Sequence, residues 1–121
     1  MGVLIDNPFW KELSEKMLKT ISSTIYQEPY YLSNWGILLS YFTSPLYEIA
    51  ICGNKSFEFR KGIDNSYIPN KIICGSNDNS ELPLLKNRLP QNDTFIFICH
   101  NYACNLPVKS VAEALIQMKS K

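Results

Sequence analysis

Apolar residues follow two rhythms along the chain. Up to Thr43 they return every three or four positions, and beyond Pro45 they gather in short runs rich in isoleucine. The first rhythm predicts helices. Asn7-Pro8 supplies a side-chain cap and a proline at the first helical position, where a missing N–H costs nothing. Leu13, Met17, Ile21 and Ile25 follow at four-residue spacing, with Lys11, Glu12, Glu15, Lys16 and Lys19 between them. This pattern predicts an amphipathic helix of about four turns with that stripe facing a core. Gln27-Glu28-Pro29 ends it, and a second helix is expected from about Tyr30 to Thr43. That helix is apolar nearly all round, through Tyr31, Leu32, Trp35, Ile37, Leu38, Leu39, Tyr41 and Phe42, so it needs cover on more than one side. Either the rest of the chain provides the cover, or a partner does, and a second copy of the chain is one such partner.

The second rhythm predicts strands. The runs YEIAICGN (47–54), KIICGS (71–76) and FIFICHN (95–101) are short, apolar on both faces and bounded by turn residues, as interior strands of a parallel or mixed sheet are. Between the first two there is room for one short helix from about Ser56 to Gly62, the length a right-handed βαβ crossover needs. Leu82, Leu84 and Leu85 are expected to pin a helical turn or ordered loop to the sheet. Ser110 and Glu113 form a capping box, and Val111, Ala114, Leu115 and Met118 make one face of a final helix. The expected fold is α/β. It is a small, mostly parallel sheet of three to four strands with a βαβ crossover, preceded by a helical hairpin and closed by a C-terminal helix. The chain reads as a single domain over 1–121, with the hairpin over 7–43 and the sheet segment over 45–121.

Composition narrows the function classes. The chain has 121 residues, 45% of them hydrophobic and 19% charged, and a net charge of +1. No basic stripe offers a nucleic-acid surface. The most apolar stretch, Trp35 to Phe42, falls far short of the ~20 residues that a membrane span requires. No secretory leader is evident at the N-terminus, so the chain reads as cytoplasmic and its four cysteines as free thiols.

The candidate chemistry gathers at strand ends. Cys52, Cys74 and Cys99 each close an isoleucine run, and parallel strands would bring all three to the sheet edge where α/β folds bind ligands. Adding the sole histidine, His100, and Cys104 makes a thiolate–imidazole metal site conceivable. Buried cysteines acting as small hydrophobes are the simpler reading, and neither metal nor cofactor is expected. Cys99 and Cys104 have four residues between them, unlike a C-x-x-C redox pair, yet they meet if His100–Ala103 forms a tight turn. A thiol beside His100 could act as a nucleophile, but that chemistry wants a third, orienting group, and Asn101 stands too close in sequence to be assigned that role. The alternative is that His100 and Asn101 satisfy backbone groups at the strand end. A further reading is a ligand pocket at the strand edge lined by Gly53, Gly75, His100 and Asn101.

From Pro45 onward four features stand in order: EIAICG, then Ile68-Pro69-Asn70-Lys71, then Leu82-Pro83-Leu84-Leu85 with Arg88 three residues on, and finally FICHNYACNLPV. Together they resemble the C-terminal end of the large thioredoxin-domain-containing proteins related to spermatogenesis-associated protein 20. The two N-terminal helices fit that family's last helical hairpin. The resemblance implies a parent with an N-terminal thioredoxin-like domain carrying C-x-x-C, followed by a helical toroid similar to six-hairpin glycosidases and sugar 2-epimerases. The matching positions are Arg88, Cys99, Cys104 and Pro107. This chain has no C-x-x-C, so the family's redox motif does not carry over, and a toroid active site would lie in hairpins outside it. Gln91-Asn92-Asp93 stands where the family pattern leads one to expect a glycine. The expectation is a non-catalytic segment serving packing or protein interaction, with no enzyme activity of its own. The rival is a small thiol-redox or metal-binding module using Cys99, His100 and Cys104.

Overall fold

A computed structural model describes residues 2–88, 93–101 and 103–119. The chain divides into two compact units, 1–45 and 46–121.

The first unit is a pair of helices, α1 (Pro8–Gln27) and α2 (Ser33–Thr43). Asn7 caps α1 as expected, its side-chain oxygen accepting from the Phe9 N–H at 3.0 Å, and Pro8 takes the first turn. The buried line of α1 differs from the predicted stripe. Leu18 and Ile25 are its buried residues, whereas Leu13 and Met17 are exposed. A step of four residues turns about 400°, so each step drifts by roughly 40° and a run of such steps winds off the buried face. Leu18 and Ile25, seven apart, stay aligned. α2 begins at Ser33 rather than Tyr30, because residues 29–31 form a turn and Leu32 occupies the cap position.

In the second unit the described residues form four strands and two helices: β1 (Tyr47–Cys52), α3 (Ser56–Asp64), β2 (Lys71–Ser76), β3 (Phe95–His100), β4 (Ala103–Cys104) and α4 (Val111–Lys119). The sheet order is β2-β1-β3-β4. β1 and β2 are parallel and joined through α3, as the crossover spacing predicts. The expectation of a mostly parallel sheet is corrected, since β3 runs antiparallel to β1, and β4 antiparallel to β3. The cause is the connection after β2. Ser76, the last residue of β2, and Phe95, the first of β3, both lie at the edge where β1 ends, because Phe95 pairs with Cys52, so β3 has to run back along β1. Among the described residues of this connection no helix serves as the crossover that a parallel strand would require. β2 is also an edge strand, and most of its residues are half-buried.

Each face of the sheet has its own apolar layer. Ile49, Ile51, Ile96 and Ile98 pack with Ile63 of α3 and with Ala114 and Met118 of α4. Ala50, Cys52 and Cys99 pack with Leu84 and Leu85, and Cys74 and Phe97 extend this second layer. Leu84 and Leu85 pin the 82–87 turn as expected, whereas Leu82 stays exposed. At the start of α4 the Ser110 hydroxyl accepts from the Glu113 N–H, while the Glu113 carboxylate reaches the Lys109 N–H. The Gln91-Asn92 portion of the turn before β3 lies outside the described residues.

Candidate functional site

β3 and β4 build the site. His100 pairs with Ala103 across a reversal of the chain, and Asn101 takes the left-handed conformation (φ 48°) that asparagine tolerates better than most residues. The reversal places Cys99 directly opposite Cys104, with Cα atoms 3.9 Å apart, and the two sulfurs are bonded. The free-thiol expectation is therefore corrected for this pair. It holds for Cys52 and Cys74, which are the unpaired cysteines.

Cys99 is fully buried, whereas Cys104 lies on an exposed two-residue strand. Arg88 reaches both sulfurs. Its Nη1 donates to Cys99 Sγ at 3.4 Å and its Nη2 to Cys104 Sγ at 3.2 Å, while the guanidinium lies over the Phe97 ring, 4.9 Å from its centroid. A helical turn delivers it. The Leu85 and Lys86 N–H groups both donate to the Leu82 carbonyl, Asn87 turns left-handed (φ 59°), and the Arg88 N–H donates to the Leu85 carbonyl. Buried Leu84 and Leu85 hold that turn on the sheet face carrying Cys99. Nothing in residue spacing pointed to Arg88, whose match came with the family resemblance.

The other candidates are dispersed. Side chains alternate along a strand, so Cys99 and His100 face opposite sides of the sheet. His100 Nδ1 lies 3.0 Å from the Leu46 carbonyl, which can only accept, so that nitrogen carries the proton. The ring sits 4.6 Å from that of Tyr47, whose hydroxyl donates to the Met118 carbonyl at 2.6 Å. His100 thus satisfies a backbone group, one of the two readings its sequence allowed. The sulfur pair has a guanidinium beside it rather than an imidazole.

Cys52 and Cys74 lie toward the C-terminal ends of β1 and β2, but Cys99 sits opposite Glu48 at the other end of β1. The antiparallel course of β3 thereby overturns the gathering of all three thiols at one edge. Burial pushes the Cys52 and Cys74 thiols above the usual range, and Arg88 opposes this in part at Cys52. Among the described residues no three His, Cys, Asp or Glu side chains are placed to hold a metal ion.

Gly53 and Gly75 lie at the edge where β1 and β2 end, whereas His100 and Asn101 lie at the opposite edge, so these residues do not share a pocket. A cleft of about 370 Å³ does exist, lined in part by Tyr47, Tyr67, Pro69 and Met118, and it contains none of the candidate residues. No helix among the described residues is long and apolar enough to cross a membrane. Compared with protein families, curated proteins and solved structures, the chain finds no match in any of the three.

Proposed function

We propose that this chain is a non-catalytic α/β segment of a larger protein, serving to pack its helical hairpin against the helical scaffold of that protein. One observation carries the reading: among the described residues of α2 none is buried, although the helix is apolar nearly all round. Ile37 is 54% exposed and Phe42 45%, and in α1 Phe9 and Trp10 are exposed as well. Apolar surface of this kind, concentrated on one hairpin, marks an interaction face. The resemblance to proteins with a thioredoxin-like domain and a helical toroid supplies the kind of scaffold that would cover it.

Without that scaffold, the face should be covered by a second copy of the chain. Light scattering over a concentration series is expected to show self-association, and Ile37→Ser combined with Phe42→Ser should shift the population toward monomer. A strictly monomeric unsubstituted chain at high concentration would contradict the reading. A second reading, a thiol-redox module, is favoured by the position of Arg88 beside the two sulfurs, with one N–H directed at each.

A further inference from the structure

Arg88 brings a cation to a group that, in its bonded form, has little use for one. Disulfide sulfurs are neutral and weak acceptors, yet two guanidinium N–H groups point at them, at 3.4 and 3.2 Å. A thiolate is the partner such a cation suits. The bond is also a modest clamp. Cys99 and Cys104 are five positions apart, and so short a closed loop constrains the unfolded chain less than a long one does. The clamped element, β4, is two exposed residues at the sheet edge, while β3 is held independently by five register pairs with β1. Access is one-sided: Cys104 is exposed and Cys99 is buried.

We propose that Cys99 and Cys104 form a thiol–disulfide exchange site for a dithiol reductant, in which Cys104 is the sulfur attacked and Arg88 takes up the charge released on Cys99. A thiolate of the dithiol forms a bond to Cys104 Sγ, the Cys99–Cys104 bond breaks, and its electron pair leaves on Cys99 Sγ beside Nη1. The second thiol of the reductant loses its proton to water and attacks the reductant sulfur of the mixed disulfide, expelling the Cys104 thiolate beside Nη2. The chain gains two electrons, the dithiol becomes its own disulfide, and protons lost by the dithiol reach the chain thiolates through solvent. Arg88 acts as a positioning and charge-stabilising residue. Glu48, buried, stands directly opposite Cys99 on the same sheet face. The site is independent of the hairpin reading.

The test follows the full chain in dithiothreitol buffers at neutral pH, with site-resolved mass spectrometry after iodoacetamide quenching and circular dichroism of the same samples. The pair is expected to open without denaturant while the far-ultraviolet spectrum is kept. The first sulfur labelled in the reduced chain should be Cys104, faster than free cysteine. Arg88→Met should slow that labelling about tenfold at neutral pH and move its pH profile upward, as loss of a neighbouring positive charge does. Arg88→Lys should retain part of the acceleration, which keeps the test decisive if the methionine variant folds poorly. Three results would each overturn the proposal: a pair that opens only on unfolding, reduced cysteines no faster than free cysteine, or labelling rates unchanged in both Arg88 variants.

Discussion

Gly53→Ala is expected to cost the sheet unit about 4 kcal/mol, combining residue strain with overpacking. Gly53 follows β1 directly and has φ +126°, a conformation that L side chains rarely adopt. A Cβ there would also run into the Asp93 carbonyl and Thr94, backbone that has no room to give because Thr94 is buried and its hydroxyl accepts from the Lys55 N–H at 2.9 Å. This contact fixes where the chain re-enters the sheet to begin β3, so the substitution strikes the reversal that defines the topology. Against a typical domain stability of about 5–15 kcal/mol, the loss should leave the unit marginal, read as a large drop in urea midpoint. An unchanged midpoint would mean that Gly53 is not held in this way.

The second large effect lies in the core. Ile98 is 1% exposed, packed between β1 and the helices α3 and α4. Ile98→Ala should cost about 2–5 kcal/mol, and Ile98→Val about 1 kcal/mol. The control is another isoleucine of the same unit: Ile116 on α4 is 67% exposed, and Ile116→Ala should stay within about 0.5 kcal/mol. Comparable losses at the two positions would contradict the assignment of the core, because both substitutions delete the same atoms.

Much of the fold could be read from local chemistry. Asn7-Pro8 marked the start of α1, the isoleucine runs marked three strands, and Ser110 with Glu113 marked the start of α4. The direction of β3 could not be read in this way. An apolar run such as Phe95–Ile98 looks the same whether its strand runs up or down, and the decision rests on the Asn77–Thr94 connection, whose course depends on contacts such as Gly53 with Asp93 and Thr94. The buried face of α1 was caught only at Ile25, since a four-residue stripe drifts around a helix while Leu18 and Ile25, seven apart, stay aligned.

The site was half legible. A tight turn at His100–Ala103 was one condition under which Cys99 and Cys104 would meet, and the register of β3 with β4 fulfils it. His100 misled because neighbours in sequence on a strand point to opposite faces. Arg88, eleven residues before Cys99, was invisible to spacing because it comes from a separate turn held down by Leu84 and Leu85. Reading it required the fold.

Everything proposed for the sulfur pair depends on β3 turning Cys99 away from Cys52 and Cys74 and toward Cys104. Mass mapping tests this most directly: the chain is equilibrated with oxidised glutathione, denatured in acid, alkylated and cut with trypsin. The predicted result is a peptide of residues 89–109 lacking two hydrogens and carrying no label, with Cys52 and Cys74 both alkylated. Label on Cys99 and Cys104, or a bond from Cys99 to Cys52 or Cys74, would contradict it.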